Sequence, residues 1–382
     1  MIQHFPRLLI LVGLIFSHHA WVQASVATCN ISLPRELQYS VKTLFEFSDQ
    51  TFIENIAVRR NGHVLITTFD RGRVYSIDPR SPSPQARLAA QLPDANAVTG
   101  IAEMAPDVFF VVGGNLDQGA MRYDPPSLRA FRLDFGGRGE GAATVETIAR
   151  MPQDLNLSML NGVAVLPTSP ARGVVLAADS VDGRIVRIDS NTGSVDVVSQ
   201  DAMLGPPAGS MIPLGVNGIQ IVPSLNPKDH GYLYFTNSAR HLLGRMPIGS
   251  DGRQVGAAED IASLGNFQFP DDLLAESSTG SSYIAVHPDL VVRVSSDGIQ
   301  DVIAKELLEP TSLASDPRTG NIYVVTGGSA ARERMFGRSG GTGGQLLVIA
   351  PVGEQVCHIE WVRNQKLRGK LTKANCGPVC VD

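Results

Sequence analysis

A short theme returns six times along the 382-residue chain: an acidic, amide or hydroxyl residue opens an apolar strand, a turn follows, and a second β-rich strand ends in a polar residue or glycine. The first copy runs Glu54-Asn55-Ile-Ala-Val-Arg-Arg-Asn61-Gly62, then His63 to Asp70, then Arg73 to Asp78. The second opens at Thr99-Gly-Ile-Ala-Glu103 and reaches Val-Phe-Phe-Val-Val-Gly-Gly-Asn115. The third and fourth open at Asn161-Gly and Asn217-Gly, with second strands ending at Asp179 and Asn237. The fifth opens at Asp271-Asp272 and ends at His287, and the sixth opens at Thr311-Ser and ends at Gly327. A repeat of roughly 40 to 60 residues with several short strands per unit predicts blades arranged radially, not stacked helices.

The expected fold is all-β, a six-bladed β-propeller in which each blade buries its faces against its neighbours. Thirty-eight glycines and 24 prolines, with only 18% charged residues, suit a strand-and-turn protein, and no helical period persists. The ring would occupy residues 25–382 as one domain with a cysteine-containing tail, since residues 1–24 have the order of a secretory signal. Arg7 precedes the apolar run Leu8 to Phe16, and Val22-Gln23-Ala24 forms the cleavage pattern. The apolar run is too short to span a bilayer.

Secretion favours disulfides, and Cys29, Cys357, Cys376 and Cys380 allow three connectivities. Cys29 to Cys357 with Cys376 to Cys380 is the expected pairing, because it ties together the two ends of a closed ring. Asn30 and Asn156 open N-x-S sequons and are the expected glycan acceptors. A formal net charge of −5, with no basic stripe, argues against nucleic acid or an anionic membrane as partner. The expected partners are small molecules, and the expected state is a secreted monomer.

Antiparallel geometry places the start of each inner strand and the end of each second strand on one face of the disc. Glu54, Asn161, Asn217 and Asp271 should therefore share a central mouth with Asp70, Asn115, Asp179, Asn237 and His287. Turns such as Asn61-Gly62 fall on the opposite face and supply the positive backbone angles of tight hairpins.

The series Glu54, Asn161-Gly, Asn217-Gly and Pro270-Asp271 resembles the regucalcin/gluconolactonase superfamily of six-bladed propellers. That resemblance implies a divalent cation, such as calcium, held at the disc centre by Glu54, Asn161, Asn217 and Asp271. The stretches Phe52-Ile-Glu54-Asn-Ile-Ala-Val-Arg59, Gly100-Ile-Ala-Glu103, Leu214-Gly-Val-Asn217-Gly-Ile, Tyr232-Leu-Tyr-Phe-Thr-Asn237-Ser and Pro310-Thr-Ser resemble a secreted fungal branch that includes hetero-Diels-Alderases of tropolonic sesquiterpenoid pathways. The implied reaction joins a tropolone-derived ortho-quinone methide to a humulene-type alkene.

Such a cycloaddition requires no cofactor. It needs two apolar partners held in attack geometry and a donor aimed at the oxygen where negative charge grows. Candidate donors are His287, first, then Arg240, Asn237 and Thr311, with apolar walls from Phe69, Phe267, Phe269 and Leu242. Asn115 and Asp179 complete the expected substrate contacts. The competing enzyme is a metal-dependent lactonase or esterase in which the cation polarises a carbonyl and Asp271 or Asp272 handles the proton. A non-enzymatic binding platform is the third reading, since a fold does not fix a function. Gly337-Arg-Ser339-Gly-Gly341 matches a nucleophile-elbow pattern but lacks its strand-turn-helix frame. The segments 329–344 and 206–210 are candidate lids over the mouth.

Overall fold

The sheet pairings of the computed structural model, which describes residues 39–136, 141–167, 173–224, 231–329 and 341–352, form six four-stranded antiparallel blades. Their inner strands are Ile53–Val58, Ala97–Ala105, Leu160–Val165, Val216–Val222, Phe269–Ala275 and Pro310–Ser315. All six begin at or just before the residue that opens each sequence repeat. The expected signal segment, all four cysteines, Asn30 and most of the 329–344 loop lie outside the described residues.

Second strands such as Val64–Thr68 and Val108–Gly114 are buried along their whole length. A middle strand of a blade is covered on both faces, so its sequence is a continuous apolar run and not an alternation. Outer strands such as Tyr39–Glu46 are largely exposed. Each seam between neighbouring blades holds its own apolar cluster. Leu65 and Val74 of blade 1, for example, pack with Phe109, Val111 and Phe131 of blade 2. Ile53 and Val64 of blade 1 pack with Tyr323, Val325 and Leu346 of blade 6, so the ring closes on the same kind of contact.

Closure is also made by the chain itself. Tyr39–Glu46 pairs antiparallel with Gln345–Pro351 and becomes the outermost strand of blade 6, with Tyr39 opposite Pro351. Blade 6 is thus built from both ends of the described chain. Blade 2 carries an insertion: a small hairpin, Leu116–Asp117 with Arg122–Tyr123, stands between its second and third strands.

One irregularity recurs in every blade and sets up the site. The register between inner and second strand slips after Ile53, Val98, Leu160, Val216, Pro270 and Pro310. Each slip is a bulge that gives the inner strand one extra residue, which bends the strand and re-aims side chains. The residues at the six bulges are Glu54, Thr99, Asn161, Asn217, Asp271 and Thr311, the very openers of the six repeats.

The residue after each opener faces the neighbouring blade at close range. Gly100, Gly162 and Gly218 fill three of these places, and a Cβ on Gly100 or Gly162 would stand 2.3 Å from the Asn161 carbonyl oxygen or 2.6 Å from that of Asn217. The other three are Asn55, Asp272 and Ser312, which bond to one another. Asn55 Nδ2 donates to Asp272 Oδ2 at 2.9 Å, and the Ser312 hydroxyl donates to the same oxygen at 2.8 Å. Hydroxyls stitch further seams: Thr67 to the Thr99 carbonyl at 2.8 Å, Thr99 to Leu160 at 2.7 Å, and Thr311 to Ile53 at 2.9 Å.

Candidate functional site

At the axis the bulges gather Glu54, Asn161, Asn217 and Asp271, all buried. Asn161 Nδ2 donates to Asn217 Oδ1 at 2.6 Å, and Asn217 Nδ2 donates to the Ser238 hydroxyl at 3.0 Å. The Asn161 side chain also hydrogen-bonds Glu54. Asp271 Oδ2 lies 2.9 Å from His287 Nε2, and His287 Nδ1 lies 2.7 Å from Glu309 Oε2. Asp271 and Asp272 sit together at a bulge, so both carboxylates point inward, Asp271 to His287 and Asp272 to Asn55 and Ser312.

Burial raises the Glu54 carboxyl well above the usual carboxylate range, and the nearby charges of Asp271 and Asp272 add to that, against the opposing effect of His287. Asp272 is pushed up to about 6, chiefly by burial. The site therefore favours the proton-bearing form of Glu54. For His287 burial opposes the charge, but hydrogen bonds to Asp271 and Glu309 outweigh it and raise the imidazole to about 10. An imidazole with a carboxylate oxygen at each nitrogen donates from both, which is the charged form.

This pKa carries a prediction for stability. The folded value lies above the unfolded one, so the stabilisation is whole below about 6.5 and drains away as pH rises through about 10. The melting temperature is expected to fall over that window. His287→Gln leaves Asp271 and Glu309 without their cation and should cost about 3–5 kcal/mol at neutral pH, a deficit that shrinks on the alkaline side. Thermal melts of both proteins across the window decide it; parallel pH profiles would rule the linkage out.

The expected donors are placed differently from the sequence reading. Both nitrogens of His287 are taken by carboxylates, so neither is left to aim at a substrate oxygen. The Arg240 guanidinium donates to the carbonyls of Gly205 and Ala202, each at 2.9 Å. Asn237 Nδ2 donates to the carbonyls of Met203 and Leu204 at 2.8 and 3.1 Å. These two residues pin the base of the 206–210 loop, which works against a hinged lid there. Thr311 is wholly buried and serves the blade 6 to blade 1 seam.

Among the expected contacts, Asp179 is fully buried and paired with Arg184 at 2.5 Å. Leu242 belongs to the apolar cluster between blades 3 and 4, not to the mouth. Asp70 accepts from Tyr75 at 3.0 Å and Arg73 at 3.1 Å. The aromatic residues remain on the mouth face. Phe69 stacks on Phe52 at 5.0 Å, Phe269 is half-buried beside the His241 ring at 5.0 Å, and Phe267 is 69% exposed. Asn115 is exposed and lines a shallow cleft of about 380 Å³ with Arg122 and Tyr123, beside the blade 2 hairpin. Asn156 is exposed, with its Oδ1 accepting from Arg122 at 3.1 Å. Glu309, Asn55 and Ser312 had no functional assignment from sequence.

Two carboxylates and two amide oxygens, all buried, are the right chemistry for a hard divalent cation. The residues thus fit such an ion, though Asn217 Oδ1 already accepts from Asn161 and would have to exchange that bond. Among the described residues no three His, Cys, Asp or Glu side chains form a metal-holding group by themselves, so the amides would be indispensable.

Comparison with known proteins bears on the branch and, separately, on the fold. No family model matches the chain. Over 253 residues it is 29% identical to a Sarocladium schorii protein named as a candidate hetero-Diels-Alderase, covering 57% of this chain and 58% of that one. A Phoma protein of the same designation is 28% identical over 245 residues, covering 59% and 64%. The resemblance to the hetero-Diels-Alderase branch holds. The chain spans about three fifths of the length of these relatives. Among solved structures, a calcium-binding regucalcin from Agrobacterium tumefaciens superposes with a TM-score of 0.56 at 14% identity, over 82% of this chain and 95% of that one. A luciferin-regenerating enzyme gives 0.57 at 13% identity, over 82% and 96%. These two bear on the fold alone, and they support the six-bladed propeller.

Proposed function

We propose that the chain is a hetero-Diels-Alderase whose axial mouth joins an electron-poor, oxygen-bearing diene to an apolar alkene. The diene is an ortho-quinone methide derived from a tropolone, and the alkene is of the humulene type. The two relatives at 28–29% identity supply the reaction class. The structural observation that carries it is Glu54, a carboxyl buried at the centre of the disc, which that burial raises well above the usual carboxylate range. As the new C–O and C–C bonds form, negative charge on the quinone-methide oxygen grows, and a carboxyl O–H aimed there stabilises it. Phe52, Phe69, Phe267 and Phe269 on the same face offer the apolar surface that holds the alkene in attack geometry.

The oxygen-donor set favours a second reading, a metal-dependent lactonase. When bound, a divalent cation would be held by Glu54, Asn161, Asn217 and Asp271 and would supply Lewis-acid polarisation of a carbonyl. Asp272, its carboxyl pushed up to about 6 chiefly by burial, would then handle the proton.

The two are separated by supplying a quinone-methide precursor and alkene, or a lactone, with and without a chelator. Cycloadduct formed faster and with a single stereochemistry, unchanged by the chelator, is the expected result. Product no faster than in buffer, together with lactone hydrolysis that the chelator abolishes, would transfer the assignment to the lactonase.

A further inference from the structure

Glu309 stands outside the repeat pattern, one residue before the inner strand of blade 6, and is only 1% exposed. Its φ of 58° is left-handed, a conformation that non-glycine residues hold only where the surroundings impose it. Two backbone bonds impose it here. Its N–H donates to the Pro288 carbonyl at 3.0 Å, and its carbonyl accepts from Gly327 at 2.7 Å. The first ties it to the residue that follows His287. The side chain crosses from blade 6 to blade 5 and meets His287 Nδ1 at 2.7 Å, while Nε2 of the same ring meets Asp271 at 2.9 Å.

We propose that Glu309 is a positioning residue that acts through His287 to set the orientation of the Asp271 carboxylate at the axis. An imidazole held at one nitrogen only can turn about its Cβ–Cγ bond. With Oε2 of Glu309 fixing Nδ1–H, the Nε2–H direction is fixed too, and Asp271 Oδ2 is held to it. Asp271 then keeps one orientation beside Glu54, near enough for the two charges to interact. Partners of this kind, one step removed from the group that meets substrate, typically change function about 10–100-fold when lost. The activity arm of the test rests on the cycloaddition proposed above.

The experiment compares wild type, Glu309→Gln and Glu309→Ala in steady-state cycloaddition, thermal melts and proton NMR of the imidazole N–H signals, assigned through His287→Gln. Glu309→Ala is expected to lower kcat about 10–100-fold with KM little changed. Glu309→Gln, whose amide oxygen still accepts from Nδ1–H, should recover to within about fivefold, the neutral bond being weaker than the charge-assisted one. In the NMR arm the Nδ1–H signal of His287 should vanish by exchange in the Ala variant, shift in the Gln variant, and draw the Nε2–H signal with it. Unchanged Nε2–H signals in both variants would overturn the proposal, as would a kcat loss in Gln equal to that in Ala. If wild type lacks cycloaddition activity, the functional assignment fails, while the NMR arm still judges Glu309.

Discussion

Glu54→Ala is expected to slow cycloaddition about 10²–10³-fold, the usual effect of removing one donor to a developing oxyanion, while Glu54→Gln stays within about tenfold of wild type. The amide keeps the shape of the carboxyl and still presents an N–H, so the donor survives the change. Removal of the ionisable group has a second consequence. The folded-state value of Glu54 is raised above its unfolded one, so ionisation at neutral pH works against folding, and the cost disappears as pH falls below the usual carboxylate range. Glu54→Gln should therefore melt higher than wild type at neutral pH, with the gain shrinking in acid. A lactonase that depends on a bound cation behaves in the opposite manner, because Gln lacks the charge that holds the ion and both variants lose activity. Rates and melting temperatures of the two variants, measured side by side, separate the mechanisms. Equal loss in both would remove Glu54 as donor.

The openers of the repeats were legible because each copy puts a polar residue at the head of a short apolar strand, and six copies in order leave little freedom of topology. What the repeats could not show is register. The bulge that aims both Asp271 and Asp272 inward depends on where the second strand pairs, and that pairing is a contact between strands, invisible in either one. Asn237, Arg240 and Thr311 look like exposed polar rim residues in sequence, but the loop carbonyls and seam carbonyls they satisfy come from other parts of the chain. A buried backbone carbonyl must find a donor, and these side chains meet that need. Tyr39–Glu46 was hidden for a different reason. It carries no copy of the repeat, and its exposed face gives it a weak strand pattern, although it closes the ring. Glu309 escaped notice because its one sequence mark, a Glu before Pro310, is common in loops.

Gly218 is where the fold and the site depend on the same few tenths of an ångström. An added Cβ there would lie 2.2 Å from Asp272 Oδ1 and 2.5 Å from the Asp272 Cα. The first neighbour is a side chain, but the second is backbone of the next inner strand, so the clash cannot be relieved by a rotamer change. Blades 4 and 5 would have to part, and the parting would shift the bulge that carries Asp271 and Asp272. Gly218→Ala is therefore expected to cost about 3 kcal/mol or more, at the upper end of overpacking penalties. It should also lower activity in the molecules that remain folded, since the carboxylates move with the seam. Gly205 provides the comparison: a Cβ there meets nothing within 4 Å and its backbone is not left-handed, so Gly205→Ala should change stability by less than about 1 kcal/mol. Denaturant unfolding of the two variants measures the difference directly. Equal stabilities would mean that the blades slide past one another freely at this seam, and the close approach of the bulges would then not be what holds the axial carboxylates in place.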